Sequence, residues 1–262
     1  MTLLRGSANL LGSKSLSEDS SGGEITSSAS TAEKEPMLPV GQPVPRIDSP
    51  GQPERRVYQG RFIHLAPVDP EPDAAELYGL SHGSLDVEAL WTYMPYGPFA
   101  NETDMLGWMA SVATGSDPLF LTVRHADTGA ALGMVSFLNI AAENRCLELG
   151  HIWYVPAAQR TRANTETAYL LLEEAFGRLS CRRVEWKCDA LNARSRAAAE
   201  RLGFTFEGIF RQHRIVRQHN RDTAWFAIID GDWPRIRAHL RRWLYDNNDG
   251  ALSLTQLQGA SR

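Results

Sequence analysis

Apolar and polar positions change period several times between residues 58 and 246, and the changes outline a mixed fold. Residues 164–179 place Ala168, Leu171, Leu172, Ala175, Phe176 and Leu179 three and four apart, an unbroken stripe that predicts an amphipathic helix. Residues 182–188 alternate instead, with Val184, Trp186 and Cys188 on one face and Arg183, Glu185 and Lys187 on the other, the period of a half-buried strand. Strands are also expected at 61–65 and 147–155. A hairpin is expected from 119–125 and 131–140 across Asp127-Thr128-Gly129. Shorter helical patterns fall at 71–80, 88–93 and 103–113. Asn192 suits an N-cap and Gly203 the residue just past a C-terminus, which bounds a helix between them. Residues 204–211 and 223–230 predict a last antiparallel pair across a polar loop at 218–221. Asp232 is placed to cap a closing helix whose Trp233, Ile236, Leu240 and Leu244 share one side. No internal repeat is visible.

Composition sets the limits of this folded stretch. Residues 1–56 contain no Phe, Tyr or Trp, are rich in Ser up to Ser30 and in Pro from Pro36 to Pro53, and cannot bury enough apolar surface to offset ordering entropy. They are expected to be a disordered tail. Its first twenty residues, with Arg5, Lys14 and no acid before Glu18, weakly resemble a mitochondrial presequence, with a plain tail as the other reading. Residues 247–262 are expected to be a second loose end, leaving one domain over 57–246. The formal net charge of −4 gives no basic face for nucleic acid. Three cysteines, Cys146, Cys181 and Cys188, lack zinc-ligand spacing and read as reduced thiols, so no metal is expected. No apolar run approaches the roughly 20 residues that span a bilayer. The expectation is a soluble, cytoplasmic protein, monomeric or homodimeric, without a membrane or nucleic-acid partner.

The chemistry concentrates between Glu148 and Phe204. A strand hands over to a loop, Gln159-Arg160-Thr161-Arg162-Ala163-Asn164, that opens a helix. Backbone N–H groups and the helix dipole at such a start suit a phosphate, and Arg160, Arg162, Asn164 and Thr165 add charge and polar contacts. An ordinary exposed connection with solvated arginines fits the loop taken alone. Asn192-x-x-Ser195 similarly reads either as a simple cap or as a pair of polar contacts to a ligand.

Taken together, the order strand, loop, helix, strand, Asn-x-x-Ser helix and Gly203-Phe204 resembles the GNAT (GCN5-related) N-acetyltransferases. The branch it resembles most acetylates ribosomal proteins and small amines. Asn164-Thr165-Glu166, Arg182-Arg183-Val184-Glu185-Trp186-Lys187, Asn192-x-x-Ser195 and Glu207-Gly208-x-x-Arg211 match that branch's running pattern. Trp91-Thr92-Tyr93-Met94-x-Tyr96-Gly97-Pro98-Phe99 and Asp222-Thr223-x-Trp225-Phe226 fit it too, so the resemblance covers about 58–245. It implies an α/β fold of the α+β type, with a mixed, mostly antiparallel twisted sheet flanked by helices and splayed at an acyl-CoA slot. It implies acetyl-CoA as cofactor, held by Ile152, Trp153, Tyr154, residues 159–165, Asn192 and Ser195. The acceptor would be an amine, a small molecule or a protein N-terminus, bound beside Trp91, Tyr93, Met94, Tyr96 and Phe99. Aromatic core is the other reading of that last cluster.

Two departures stand out. Arg162 and Asn164 occupy the loop positions that the family usually fills with small residues, and Ala199 stands where many members carry a tyrosine acid. Ser195 is then the remaining group to assist a departing thiolate. A protonated amine must lose a proton before it attacks a thioester, and Glu148 is the expected base. His151 is the other candidate; on a regular strand it faces away from Glu148, and a bulge would change that parity. The expected reaction is direct transfer in a ternary complex. The alternatives are a non-catalytic acyl-CoA-binding module and an enzyme for longer acyl groups.

Overall fold

The alternating stretches assemble into one eight-stranded sheet in the computed structural model, which describes residues 38–45, 51–246 and 252–259. Residues 38–45 belong to a first unit, Met1–Arg46, and are exposed without regular structure. The expectations placed on residues 1–37, tail disorder and a presequence, lie outside the described residues. The sheet and its helices belong to the second unit, Ile47–Arg262.

The strands are β1 (Tyr58–Gln59), β2 (Ile63–Pro67), β3 (Leu119–His125), β4 (Ala131–Ala141), β5 (Cys146–Tyr154), β6 (Arg183–Asp189), β7 (Thr205–Val216) and β8 (His219–Ile229). Their order is β1-β2-β3-β4-β5-β6-β8-β7, antiparallel throughout except for the β5–β6 pair. That one parallel pair requires a crossover, which α4 (Ala163–Glu173) provides. Helix α5 (Ala193–Leu202) follows β6 and lies on the face of Val184 and Trp186, where Trp186 meets Phe204 with ring centroids 5.6 Å apart. The opposite face carries Thr122, Glu148 and Glu185 and receives α1 (Pro70–Ser81) and α3 (Glu102–Val112). Short α2 (Leu85–Glu88) and a 3-10 turn, Ala89–Trp91, replace the helix expected at 88–93.

Local chemistry explains several boundaries. Asn192 caps α5 by accepting from the Ser195 N–H at 3.0 Å, and Gly203 ends the helix at φ +101°, where a Cβ would be strained. Asp232 occupies the expected cap position before α6 (Trp233–Arg241), but its side chain makes no capping bond. The stripe of 164–179 forms as α4 and then a π-helical turn, Glu174–Arg178. The strand expected at 61–65 begins at Ile63 because Glu166, buried in the first turn of α4, takes the preceding backbone. Its carboxylate accepts from the N–H groups of Arg61 (2.9 Å), Phe62 (2.7 Å) and Ile63 (2.8 Å), and from the Tyr245 hydroxyl (2.8 Å).

Three expectations need correction. The loop expected at 218–221 shrinks to Arg217-Gln218, both at positive φ (+49° and +65°), the backbone of a two-residue hairpin turn. The polar run 211–221 hid these strand ends, since it lacks apolar alternation. Residues 51–56 join the domain: Arg178 pairs with Glu54 at 3.0 Å and donates to the Gln52 carbonyl at 2.9 Å, while Arg56 pairs with buried Glu174. Residues 252–259 are likewise no loose end. They form α7 (Leu254–Gly259), which buries Leu254 and Leu257.

Candidate active site

Pairing between β5 and β6 stops at Glu148↔Glu185. Beyond it β5 stays with β4 while β6 stays with β8 as far as Asp189↔Thr223, so the sheet opens into a slot. A bulge shapes its β5 wall: Ser136 pairs with Gly150 and Met134 with Trp153, so two steps on β4 meet three on β5. His151 sits in this bulge at φ +53°. Gly133 is required opposite, because a Cβ there would stand 2.1 Å from the Trp153 carbonyl oxygen. Along the β5 edge that faces β6, backbone groups of 150–154 have no strand partner and are available to a ligand.

At the top of the slot, Gln159 steadies the loop by donating to the Tyr154 carbonyl at 3.1 Å. Arg160 takes the left-handed conformation at φ +62° and is exposed. Thr161 accepts from the Ala163 N–H at 3.2 Å. Arg162, at φ −73° and ψ −12°, needs no glycine there. Its guanidinium turns to the Phe62 ring at 4.7 Å and, with Arg201, Trp243 and Leu254, lines a cavity of about 340 Å³ beside α7. Ala163 and Thr165 are buried, and the Thr165 hydroxyl accepts from Arg201 at 2.9 Å. The Asn164 Oδ1 and the Tyr154 hydroxyl are buried with no partner among the described residues.

Ser195 is oriented by Trp186, whose indole N–H donates to Oγ at 3.0 Å and leaves the serine hydrogen free to donate. Ala199, where a tyrosine acid would stand, is fully buried.

Glu148, 5% exposed, lies at the foot of the slot on the face of Glu185. Its Oε2 accepts from Asn139 at 2.6 Å and pairs with Lys187 at 2.9 Å, which leaves Oε1 for another donor. Lys187 also pairs with Glu185 at 2.7 Å and lies over the Trp225 ring at 4.0 Å. Burial works against its charge, but Glu148 and Glu185 outweigh it and hold the ammonium above its usual range.

The bulge brings His151 to this same face. Its ring lies 4.8 Å from Phe120 and stacks on Tyr96 at 5.5 Å, and Nδ1 is buried without a partner. Burial first, then Arg221, lower its pKa to about 4. The imidazole is neutral near pH 7. The unfolded chain, titrating near 6.5, binds more protons between those values. Stability should therefore fall as pH drops from about 6.5 to about 4, by up to about 3 kcal/mol. His151→Asn, which tolerates the positive φ, should flatten that limb in urea unfolding followed across pH.

The aromatic residues expected near the acceptor divide. Trp91 is wholly buried, donates to the Ser81 carbonyl at 3.0 Å and meets Trp153 at 4.9 Å, which is a core position. Met94 is buried as well. Tyr96, Phe99, Phe120 and His151 form the wall, and burial, only partly offset by the Trp153 indole, pushes the Tyr96 hydroxyl far up, so it stays protonated. Tyr93 reaches across to the loop before α5, donating to the Leu191 carbonyl at 3.2 Å. The roles of Trp186, Asn139, Lys187 and Arg221 escaped the sequence reading; only the placement of Lys187 and Glu185 on one strand face hinted at the charge cluster. Among the described residues no His, Cys, Asp and Glu cluster could hold a metal, and no helix is long and apolar enough to cross a membrane.

The residues present fit acetyl-CoA. The open β5 edge leads through the left-handed turn at Arg160 into the start of α4, where the buried Asn164 Oδ1 lacks a partner among the described residues, and Ser195 stands in the first turn of the helix after β6.

Comparison with known proteins agrees with this reading. The family profile described as the Acetyltransferase (GNAT) domain matches residues 63–205. "Putative ribosomal N-acetyltransferase YdaF" of Bacillus subtilis (strain 168) is 30% identical over 105 residues, 40% of this chain. That match spans 57% of the relative's length. A GCN5-related N-acetyltransferase from Brucella melitensis is 35% identical with a TM-score of 0.76, covering 80% of this chain and 98% of that one. A GNAT-family protein from Chromobacterium violaceum ATCC 12472 is 36% identical with a TM-score of 0.69, covering 76% and 99%. The slot, the bulged strand beside it and these matches lead to one conclusion: the chain belongs to the GNAT acetyltransferases.

Proposed function

We propose that this protein is an acetyl-CoA-dependent N-acetyltransferase that acts on a primary amine by direct transfer in a ternary complex. The observation that carries the reading is the end of β5–β6 pairing at Glu148↔Glu185, where a carboxylate with a free oxygen (Glu148) borders the opening and the helix after β6 carries an oriented hydroxyl (Ser195). Bound acetyl-CoA supplies an acetyl carbon activated as a thioester. Glu148 Oε1 takes the proton from the incoming amine, while Asn139 and Lys187 hold the carboxylate in place. Backbone N–H groups of 152–154 stabilise negative charge at the carbonyl oxygen. Ser195, fixed by Trp186, donates to the position of the departing sulfur. The loop residues 159–164 and Asn192 hold the phosphates and the pantetheine arm.

The test is release of free thiol from acetyl-CoA with mixed amines and peptide N-termini. Ser195→Ala is expected to lower turnover by about tenfold or more, the loss of a hydrogen bond made chiefly in the transition state, with little change in acetyl-CoA affinity. Unchanged turnover would remove Ser195 from the mechanism. Absence of thiol release across the panel, with acetyl-CoA still bound, would favour the non-catalytic alternative.

A further inference from the structure

The β7–β8 hairpin folds over the acceptor side of the slot. At its turn Arg217 donates to the carbonyls of Met94 (3.1 Å), Tyr96 (3.0 Å) and Gly97, which ties the hairpin to the aromatic wall. Down β8, Arg221, Thr223 and Trp225 alternate onto one face, and the pairs Asp189↔Thr223 and Lys187↔Trp225 identify it as the face of Glu148 and Lys187. Arg221 is half-buried there, close enough to His151 to oppose its protonation.

Among the described residues Arg221 has no counterion. It takes part in none of the ion pairs formed among the described residues, and its Nε is buried with no acceptor. Its partner across the hairpin is Arg214, another cation. The acids nearby are committed elsewhere. Glu148 and Glu185 hold Lys187, Asp189 accepts from the Leu191 N–H, and Asp222 accepts from the Gln212 N–H and from Asn220. The Trp225 indole N–H, two residues along the same face, is buried without a partner as well. A half-buried guanidinium and an indole donor left open on one face are costly unless an acceptor arrives from outside. A planar guanidinium is matched to carboxylate or phosphate, which it can bind through two parallel hydrogen bonds.

We propose that Arg221 recognises an anionic group on the amine acceptor, so that the acceptor is an amine carrying a carboxylate or a phosphate, seated between Tyr96, His151 and Trp225. This rests on the acetyl-acceptor reading of the slot. It also selects among amines, since a polyamine without an anion would meet Arg221 and its cross-strand partner Arg214 as like charges.

The test is calorimetric titration of the full chain, saturated with CoA, by 3-phenylpropanoate and phenyl phosphate, with 3-phenylpropanamide as the neutral control. An anion is expected to bind about tenfold or more tightly than the amide. Arg221→Gln should abolish that preference, and Arg221→Lys should restore part of it, because the charge returns without the fork. The carboxylate and phosphate arms show which anion fits. Equal binding of anion and amide by the unaltered chain, or an anion affinity untouched by Arg221→Gln, would overturn the inference. Failure to bind CoA would instead overturn the acetyltransferase reading. If Arg221→Gln unfolds, the comparison of anion with amide on the unaltered chain still decides.

Discussion

Glu148→Gln is expected to lower turnover by about a hundredfold or more, with acetyl-CoA binding nearly unchanged. The substitution keeps the shape of the side chain and its place at the foot of the slot. It removes the basic oxygen, Oε1, which neither Asn139 nor Lys187 engages. The fold should survive, because Lys187 retains Glu185 at 2.7 Å and the Trp225 ring at 4.0 Å. Steady-state thiol release compared with acetyl-CoA titration separates the two effects. Retained turnover in Glu148→Gln, combined with a large loss in His151→Asn, would move the base to the neutral imidazole in the bulge. Retained turnover in both would leave proton removal to water.

The largest effect on stability is expected at Glu166, far from the reacting atoms. Its carboxylate is fully buried and accepts four hydrogen bonds, three from the backbone of residues 61–63 and one from Tyr245. It also lies in the first turn of α4, where the helix dipole favours negative charge. Glu166→Ala would leave three amides without acceptors and cut the tie between β2, α4 and the Tyr245 segment. A loss of about 4 kcal/mol or more is expected in denaturant unfolding, against a typical domain stability of roughly 5–15 kcal/mol. A loss under about 1 kcal/mol would mean that water replaces the carboxylate and that the start of α4 is held by other contacts. The same residue belongs to the Asn164-Thr165-Glu166 run, so a segment read from the sequence for its resemblance to a cofactor site also anchors the domain.

That double use shows what a linear reading could and could not reach. The stripe of α4, the alternation of β6 and the caps at Asn192 and Gly203 are local signals, and each produced the element expected from it. The extended β7–β8 hairpin was not legible, since its outer half is mostly polar, its adjacent Ile215 and Val216 break the alternation, and it turns through two non-glycine residues at positive φ. Residues 51–56 and 252–259 appeared featureless because their partners are distant in sequence: Glu174 and Arg178 for the first, the helices α5 and α6 for the second. At the site, Glu148 follows from residue type and Ser195 from the family resemblance, and both remain proposals. The contacts that make them usable, Lys187 and Asn139 on one and Trp186 on the other, arise from strand register and from how α5 lies on β6. The parity of His151 depended on a bulge that backbone conformation alone reveals. Arg162 shows the converse, a charge in the expected loop that turns to Phe62.

Acetyl-CoA is proposed to occupy the slot between β5 and β6, and amide hydrogen exchange with and without saturating acetyl-CoA tests this directly. At 100 times its dissociation constant the ligand should add about 2.7 kcal/mol to global stability. Beyond that general slowing, exchange is expected to slow most at residues 150–154 and 160–165, the open edge of β5 and the start of α4. No change at saturating acetyl-CoA, or slowing confined to residues 252–255 beside the Arg162 cavity, would contradict it.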